Sequence, residues 1–182
     1  MRADATRNRA RIVQAARDLM ADHGLDAGMD EIAARAGVAV GTVYRHFPAK
    51  SDLIAAIVAE RVQQMAAALD ALQARISAGA DARTEIVAFA NDVAARMGED
   101  RALKAAAGDL LRPSLSSVEG QARDTLAAVV AAGHRQRALY SDVTAHDLAL
   151  LFTTMPGEEV TESDRRRWLA LALRGILTTP DR

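Results

Sequence analysis

One long run of apolar residues at helical spacing constrains this chain more than any other feature. After Pro48, apolar side chains recur three and four residues apart, at Leu53, Ile54, Ile57, Val58, Val62, Met65, Leu69, Leu72 and Ile76. Side chains with this spacing share one face of an α-helix. The run therefore predicts a single helix of about seven turns.

The rest of the chain has the same helical character. Its alanine, leucine, arginine and glutamate residues favour helices, and the sequence has no long β-branched run. Shorter apolar stripes predict further helices over residues 8–20, 29–36, 40–47, 83–97, 100–111, 117–132, 144–155 and 162–178. Thr144 with Asp147 and Thr161 with Asp164 have the spacing of helix capping boxes. The fold class that follows is all-α.

Composition excludes several kinds of protein. The 182 residues include no cysteine, which rules out a disulfide framework and any thiolate metal site or nucleophile. No stretch approaches the roughly 18 consecutive apolar residues that a membrane span needs. The amino-terminal segment is amphipathic and does not resemble a signal peptide. We therefore expect a cytoplasmic protein with no membrane partner.

The net charge of -1 conceals a modest asymmetry along the chain. Residues 1–50 contain eight lysines and arginines against six acidic residues, whereas residues 51–182 contain fifteen against eighteen. The first third is thus the basic part, as expected of a segment that meets nucleic acid. This difference is too small to decide the function by itself.

The segment from Met29 to Phe47 has the pattern of a helix-turn-helix. One short helix ends at Ala36, Gly37 suits a turn position with positive φ, and a second short helix follows. Val43 and Phe47 lie one helical turn apart and are expected to face inward. The second helix of such a motif is free to enter the major groove of DNA.

The run IAARAGVAVGTVYRHFPAKSDL, which begins at Ile32, resembles the DNA-binding signature of the TetR family. The similarity covers roughly residues 8–58, about a third of the chain. It implies a three-helix DNA-binding domain over residues 1–50 and a helical ligand-binding and dimerisation domain over residues 51–182.

Carried over residue by residue, the resemblance implies that Thr42, Tyr44 and His46 touch phosphates or base edges, and that Val40, Gly41 and Arg45 lie where base discrimination usually occurs. A tyrosine hydroxyl can donate to a phosphate, and Arg45 could donate two hydrogen bonds to guanine. Lys50 begins the long helix, where a bound phosphate would offset the unfavourable dipole. The alternatives are a partly buried core aromatic for Tyr44 and an exposed lysine without a role for Lys50.

The motif also departs from the family pattern. Gly28, Ala39 and Ala49 stand where serine or threonine commonly caps a helix, and alanine gives up a cap worth about 1 kcal/mol. Direct readout is therefore expected to be sparse. The basic residues at the amino terminus, which are Arg2, Arg7, Arg9 and Arg11, suit either a DNA-binding arm or a solvated charge run.

The last predicted helix is apolar around most of its circumference. Residues 168–177 read WLALALRGIL and contain one charge, Arg174. A helix of this kind is buried on two sides. Together with the helix that contains Leu148, Leu150, Leu151 and Phe152, it predicts a four-helix interface in a homodimer. Such a dimer suits a palindromic operator in double-stranded DNA.

A small-molecule effector is expected to bind within the carboxy-terminal domain. Its candidate lining residues are Met65, Leu69, Phe89, Val93, Met97, Leu103, Leu110 and Val129, each of which could equally be plain core. Asp109, Arg112 and His134 are candidate polar anchors, with solvated surface positions as the alternative.

The sequence thus predicts a dimeric DNA-binding regulator, a repressor that a small-molecule ligand releases from its operator. The alternative is a helical dimeric interaction module that has lost specific DNA readout. The four histidines are dispersed and form no catalytic constellation, so we expect no enzymatic activity, no metal and no cofactor.

Overall fold

The computed structural model describes residues 2–96, 112–157 and 159–179. Its helices are α1 (Arg2–His23), α2 (Met29–Ala36), α3 (Val40–His46), α4 (Lys50–Ser77), α5 (Ala82–Arg96), α6 (Arg112–Arg135), α7 (Ala145–Thr153) and α8 (Glu162–Ile176). A short 3-10 turn, Gly24–Asp26, follows α1. One isolated β-bridge pairs Leu139 with Leu177 in the described part of the chain. The predicted all-α class is confirmed.

Most predicted helices agree with the observed ones to within a few residues. The bounds of α2 match the prediction, because Gly37 ends the helix where expected. By contrast, α1 begins earlier than predicted, at Arg2, and α6 extends beyond the predicted range at both ends. The helix predicted over residues 100–111 lies outside the described residues.

Packing divides the chain into two compact units, and the division falls within α4. The first unit contains α1 to α3 and α4 as far as Val62, and the second contains α4 from Gln63 onward with α5, α7, α8 and most of α6. In the first unit, α1 packs mainly on α2. Its fully buried side chains include Ile12, Ala16, Ile32, Val43 and Leu53. Helices as short as α2 and α3 depend on such a shared core.

The second unit has its own apolar core. Large buried side chains from five helices meet there, among them Leu72, Ile86, Val129, Leu148 and Leu169. Phe89 and Phe152 pack edge to face, with ring centroids 5.3 Å apart, which is a favourable aromatic geometry. The segment after α8 pairs with the segment after α6, since the Thr178 N–H donates to Ala138 O at 3.1 Å.

The predicted capping box at the start of α7 is confirmed. Thr144 Oγ1 accepts from the Asp147 N–H at 3.3 Å, and the Thr144 N–H donates to Asp147 Oδ2 at 2.8 Å. Two hydrogen bonds from Thr144 lower the pKa of Asp147. The bond from the hydroxyl has the larger effect, and the bond from the backbone N–H has the smaller one. At α8 the Thr161 hydroxyl accepts from the Asp164 N–H at 3.1 Å and donates to Asp164 Oδ2 at 2.7 Å. The bond from the backbone N–H of the cap residue to the carboxylate, which completes the box at α7, is not formed at α8.

Arg165 joins the start of α8 to the segment that follows α7. It is the one charged side chain that is buried among the described residues, at 6% exposed. Its Nε donates to Pro156 O at 3.0 Å, and its Nη2 donates to Gly157 O at 2.6 Å. A buried cation is tolerated only when its donors are used, and here they fix the connection between α7 and α8.

We predict that Arg165→Met destabilises the protein by about 1–3 kcal/mol, because two carbonyl oxygens lose their charged donor. Urea unfolding at a fixed protein concentration measures this change. Arg167→Met is the matched control, since Arg167 is exposed two residues further along the same helix, and its effect should stay within about 0.5 kcal/mol. Equal effects of the two variants would contradict the role assigned to Arg165.

Candidate nucleic-acid interface

A left-handed residue makes the turn between α2 and α3. Gly37 has φ 63° and ψ 42°, and its N–H donates to Ala34 O at 3.1 Å. The Val38 N–H then donates to Ala33 O at 3.0 Å, which completes the end of α2. This is the positive φ that the sequence predicted, and glycine adopts it without the penalty that a Cβ would bring.

Arginines of α1 hold this turn and the end of α3 in place. Arg11 Nη2 donates to Gly37 O at 3.3 Å, and the Arg9 guanidinium carbon lies 5.3 Å from the centroid of the Phe47 ring. Phe47 directly follows α3 as its C-cap residue, and its N–H donates to Val43 O at 2.8 Å. These contacts fix the position of α3 against α1.

Glu60 of α4 strengthens the same arrangement. Its carboxylate lies 2.8 Å from Arg17 Nη2 and 3.5 Å from Arg9 Nη1. Arg7 pairs with Asp4 within α1. The basic residues predicted as a possible DNA-binding arm therefore lie within a helix, and Arg7, Arg9 and Arg11 each have a partner inside the protein.

Helix α3 has one buried face and one exposed face. Val43 and Phe47 are buried, as predicted, and they anchor the helix in the core of the first unit. Val40, Tyr44 and Arg45 are exposed, with 49% of Tyr44 accessible. The interpretation of Tyr44 as a core aromatic is therefore wrong.

The remaining predicted DNA-binding residues flank this exposed face. Gly41 is exposed, and Thr42 and His46 are half-buried at its edges. Lys50 is half-buried and begins α4 directly after the short connection from α3. The predicted residues thus all lie within residues 40–50 of the first unit, on or beside α3. Their contacts with DNA stay a prediction.

Comparison with known proteins identifies the family. The family model described as bacterial regulatory proteins, tetR family, matches residues 12–57. A TetR transcription regulatory protein from Mycobacterium vanbaalenii is 31% identical, and the alignment covers 97% of this chain and 99% of that chain with a TM-score of 0.75. The chain belongs to the TetR family. It is a transcriptional regulator with a helix-turn-helix DNA-binding domain.

Two further relatives show how similarity is distributed along this TetR-family chain. An HTH-type transcriptional regulator of Staphylococcus aureus (strain USA300) is 46% identical over 54 residues, which span 29% of this chain and 29% of the relative. The TetR regulator SCO0520 from Streptomyces coelicolor shares the fold, with a TM-score of 0.69 at 22% identity over 94% of this chain and 99% of that chain. The fold is therefore shared over nearly the whole chain at low sequence identity.

Two acidic residues of the TetR domain replace part of the missing helix caps. The Gly28 N–H donates to Glu31 Oε2 at 2.9 Å, and the Ala49 N–H donates to Asp52 Oδ2 at 2.9 Å. Gly28 and Ala39 make no side-chain capping bond, as predicted. The capping role of Glu31 and Asp52 was not predicted from the sequence, although an acidic residue three positions after a cap was the available signal.

The residues predicted to line an effector pocket divide into two groups. Leu69, Phe89, Val93 and Val129 are buried in the core of the second unit, and Met65 packs partly buried against it. Met97, Leu103 and Leu110 lie outside the described residues, as does Asp109. His134 Nε2 lies 3.0 Å from Tyr140 O, so this predicted anchor has a backbone partner.

Among residues 2–96, 112–157 and 159–179, no group of three or more histidine, aspartate or glutamate side chains is placed to hold a metal ion. No helix there has the length and apolarity needed to cross a membrane.

Proposed function

We propose that this TetR-family protein is a dimeric repressor that a small-molecule effector releases from a palindromic operator. The observation that carries the proposal is the burial pattern of α3. Val43 and Phe47 are buried and anchor the helix, whereas Val40, Tyr44 and Arg45 are exposed to solvent. Because its target is bacterial DNA, we place the protein in the cytoplasm. We assign it no catalytic role.

Each proposed DNA contact follows from the chemistry of its side chain. We propose that Tyr44, Thr42, His46 and Lys50 bind phosphates and so set the position of α3, whereas Arg45 reads a guanine edge. The Tyr44 side chain is about half exposed, although it is attached to an anchored helix. A hydroxyl donor held in this way suits a phosphate oxygen.

We propose that α7 and α8 form the dimer interface. Both helices expose a large apolar residue, Leu150 on α7 at 44% and Leu171 on α8 at 50%. Leu148 and Leu151 are buried in the protein's own core, whereas Leu150 lies on the outer face of α7. Isologous packing of these faces would build a four-helix interface and set two recognition helices about 34 Å apart.

We propose that the effector binds in the second unit, near Met65, Leu69, Phe89, Val93 and Val129. These residues are buried or partly buried in the core, and Phe89 is the one aromatic residue among the five. They suit an aliphatic or mixed ligand better than a flat cation, which an aromatic cage would bind.

For DNA binding, we predict that Tyr44→Phe weakens operator affinity about fivefold, because it removes a hydrogen bond worth about 1 kcal/mol. Fluorescence anisotropy with the DNA that flanks its gene measures this, and affinity should fall steeply with salt. Tyr140→Phe is the matched control, since Tyr140 is an exposed tyrosine of the second unit. If the wild type binds no fragment even at low salt, an interaction module replaces this proposal.

For assembly, we predict that Leu171→Glu converts the dimer to a monomer, because a buried carboxylate would lose its hydration at the interface. Light scattering after gel filtration measures the mass. Val40→Glu alters another exposed apolar residue, in the first unit, and should leave the dimer intact. A dimeric Leu171→Glu protein would place the interface elsewhere.

For the effector, we predict that medium-chain fatty acids or similar aliphatic probes raise the thermal midpoint and release bound operator. Val93→Trp should abolish both effects by filling the site while the free protein still binds DNA. If no aliphatic probe shifts the midpoint, or if the variant responds as the wild type does, the proposed site is wrong.

A further inference from the structure

A cleft between α1 and α2 lies apart from the DNA contacts and the effector site proposed above. It has a volume of about 210 Å³, and its lining residues are Arg11, Gln14, Ala15, Asp18, Arg35 and Ala36. None of them belongs to α3 or to the second unit. Because a drug-sized ligand needs about 300 Å³ or more, this α1–α2 cleft suits a smaller molecule.

The two arginines of the cleft have hydrogen-bonding capacity that the protein leaves unused. Arg35 is exposed, and it forms no hydrogen bond or ion pair with any other described residue. Arg11 is also exposed, and it donates from Nη2 to Gly37 O at 3.3 Å, which is a long hydrogen bond. Guanidinium groups pair best with carboxylates and phosphates. Two of them beside one cleft therefore favour an oxyanion as the ligand.

Asp18 makes the cleft selective among such anions. It lies two turns after Arg11 on the same face of α1. Its Oδ1 accepts from Gln14 Nε2 at 2.8 Å, and it forms no ion pair within the described chain. A carboxylate in this position repels a simple anion and attracts an ammonium group. Together with the two arginines it gives the cleft a net charge of +1.

The buried part of the lining is apolar. Ala15 is 4% exposed and Ala36 is 3% exposed, whereas the charged residues of the cleft are exposed or half-buried. Methyl groups of this kind gain from contact with the CH₂ groups of a ligand. The lining therefore matches a short aliphatic chain that carries charged groups at its ends.

We propose that the α1–α2 cleft binds a small dicarboxylic amino acid, with the carboxylates on Arg11 and Arg35 and the ammonium group on Asp18. The net charge of such a ligand is opposite to that of the cleft. Its binding would join α1 to the end of α2, beside the turn at Gly37. The site is distinct from the effector site in the second unit.

Isothermal titration calorimetry of the full chain with L-glutamate tests this site at constant ionic strength. We expect a Kd on the order of 1 mM, the affinity of so small a ligand in an open cleft. Glutarate has both carboxylates and lacks the ammonium group, so it should bind at least tenfold more weakly. If L-glutamate does not bind, or if glutarate binds equally well, the proposal is wrong.

Variants locate the binding within the protein. Arg35→Gln should weaken L-glutamate binding at least tenfold, because it removes a charge-assisted pair. Arg123→Gln is the matched control, since Arg123 is an exposed arginine of the second unit that also has no partner among the described residues. It should bind L-glutamate as the wild type does. Equal effects of the two variants would contradict the assignment.

Asp18→Asn tests the contact with the ammonium group. It keeps the shape of the side chain and removes its charge, so L-glutamate should lose its advantage over glutarate. Weak binding of anions in general would depend on Arg35 and would show no such change. An unchanged preference in Asp18→Asn would therefore refute the proposed orientation of the ligand.

A phosphate of DNA is the other oxyanion that these arginines could bind. In that case Arg35→Gln weakens operator binding in the absence of any amino acid, and L-glutamate and glutarate compete with DNA equally. This result would make the cleft part of the DNA interface and would overturn the proposal. Because the calorimetry contains no DNA, its outcome does not depend on whether the proposed operator binding is confirmed.

Discussion

The left-handed turn at Gly37 is the constraint on which the DNA-facing surface depends. Helices α2 and α3 have eight and seven residues, and neither would be stable alone. Their chain reversal needs a residue with φ near 63°, and Arg11 of α1 donates to the carbonyl of that residue. The turn sets the path of α3, and the core then holds that helix by one face.

The exposed residues of the two units serve different proposed partners. In the first unit, Tyr44 and Arg45 extend from an anchored helix and carry polar groups suited to phosphates and bases. In the second unit, Leu150 and Leu171 are apolar, which suits a second copy of the chain. Leu150 lies on α7 and Leu171 on α8. Arg165 connects these two helices, because it donates hydrogen bonds to two carbonyl oxygens of the segment between them.

Much of the helical architecture could be predicted because its causes are local. Apolar spacing gives α4, Gly37 ends α2, and Thr144 with Asp147 caps α7. The start of α1 was missed because its first turns have a weak apolar stripe, although Asp4 and Arg7 form a pair within them. The predicted contacts with an effector and with DNA involve other molecules, which the spacing of residues in this sequence does not specify.

By itself, the sequence determined the helical class, the helix-turn-helix and which side of α3 faces the core, because Val43 and Phe47 share a face one turn apart. Tertiary structure decided the rest. Arg165 is the first of three consecutive arginines and would be expected at the surface, yet it is buried between segments that only folding brings together. Leu150 and Leu151 are identical neighbours, and only one is exposed. Periodicity places side chains on a helix, but burial depends on what the rest of the chain packs against that helix.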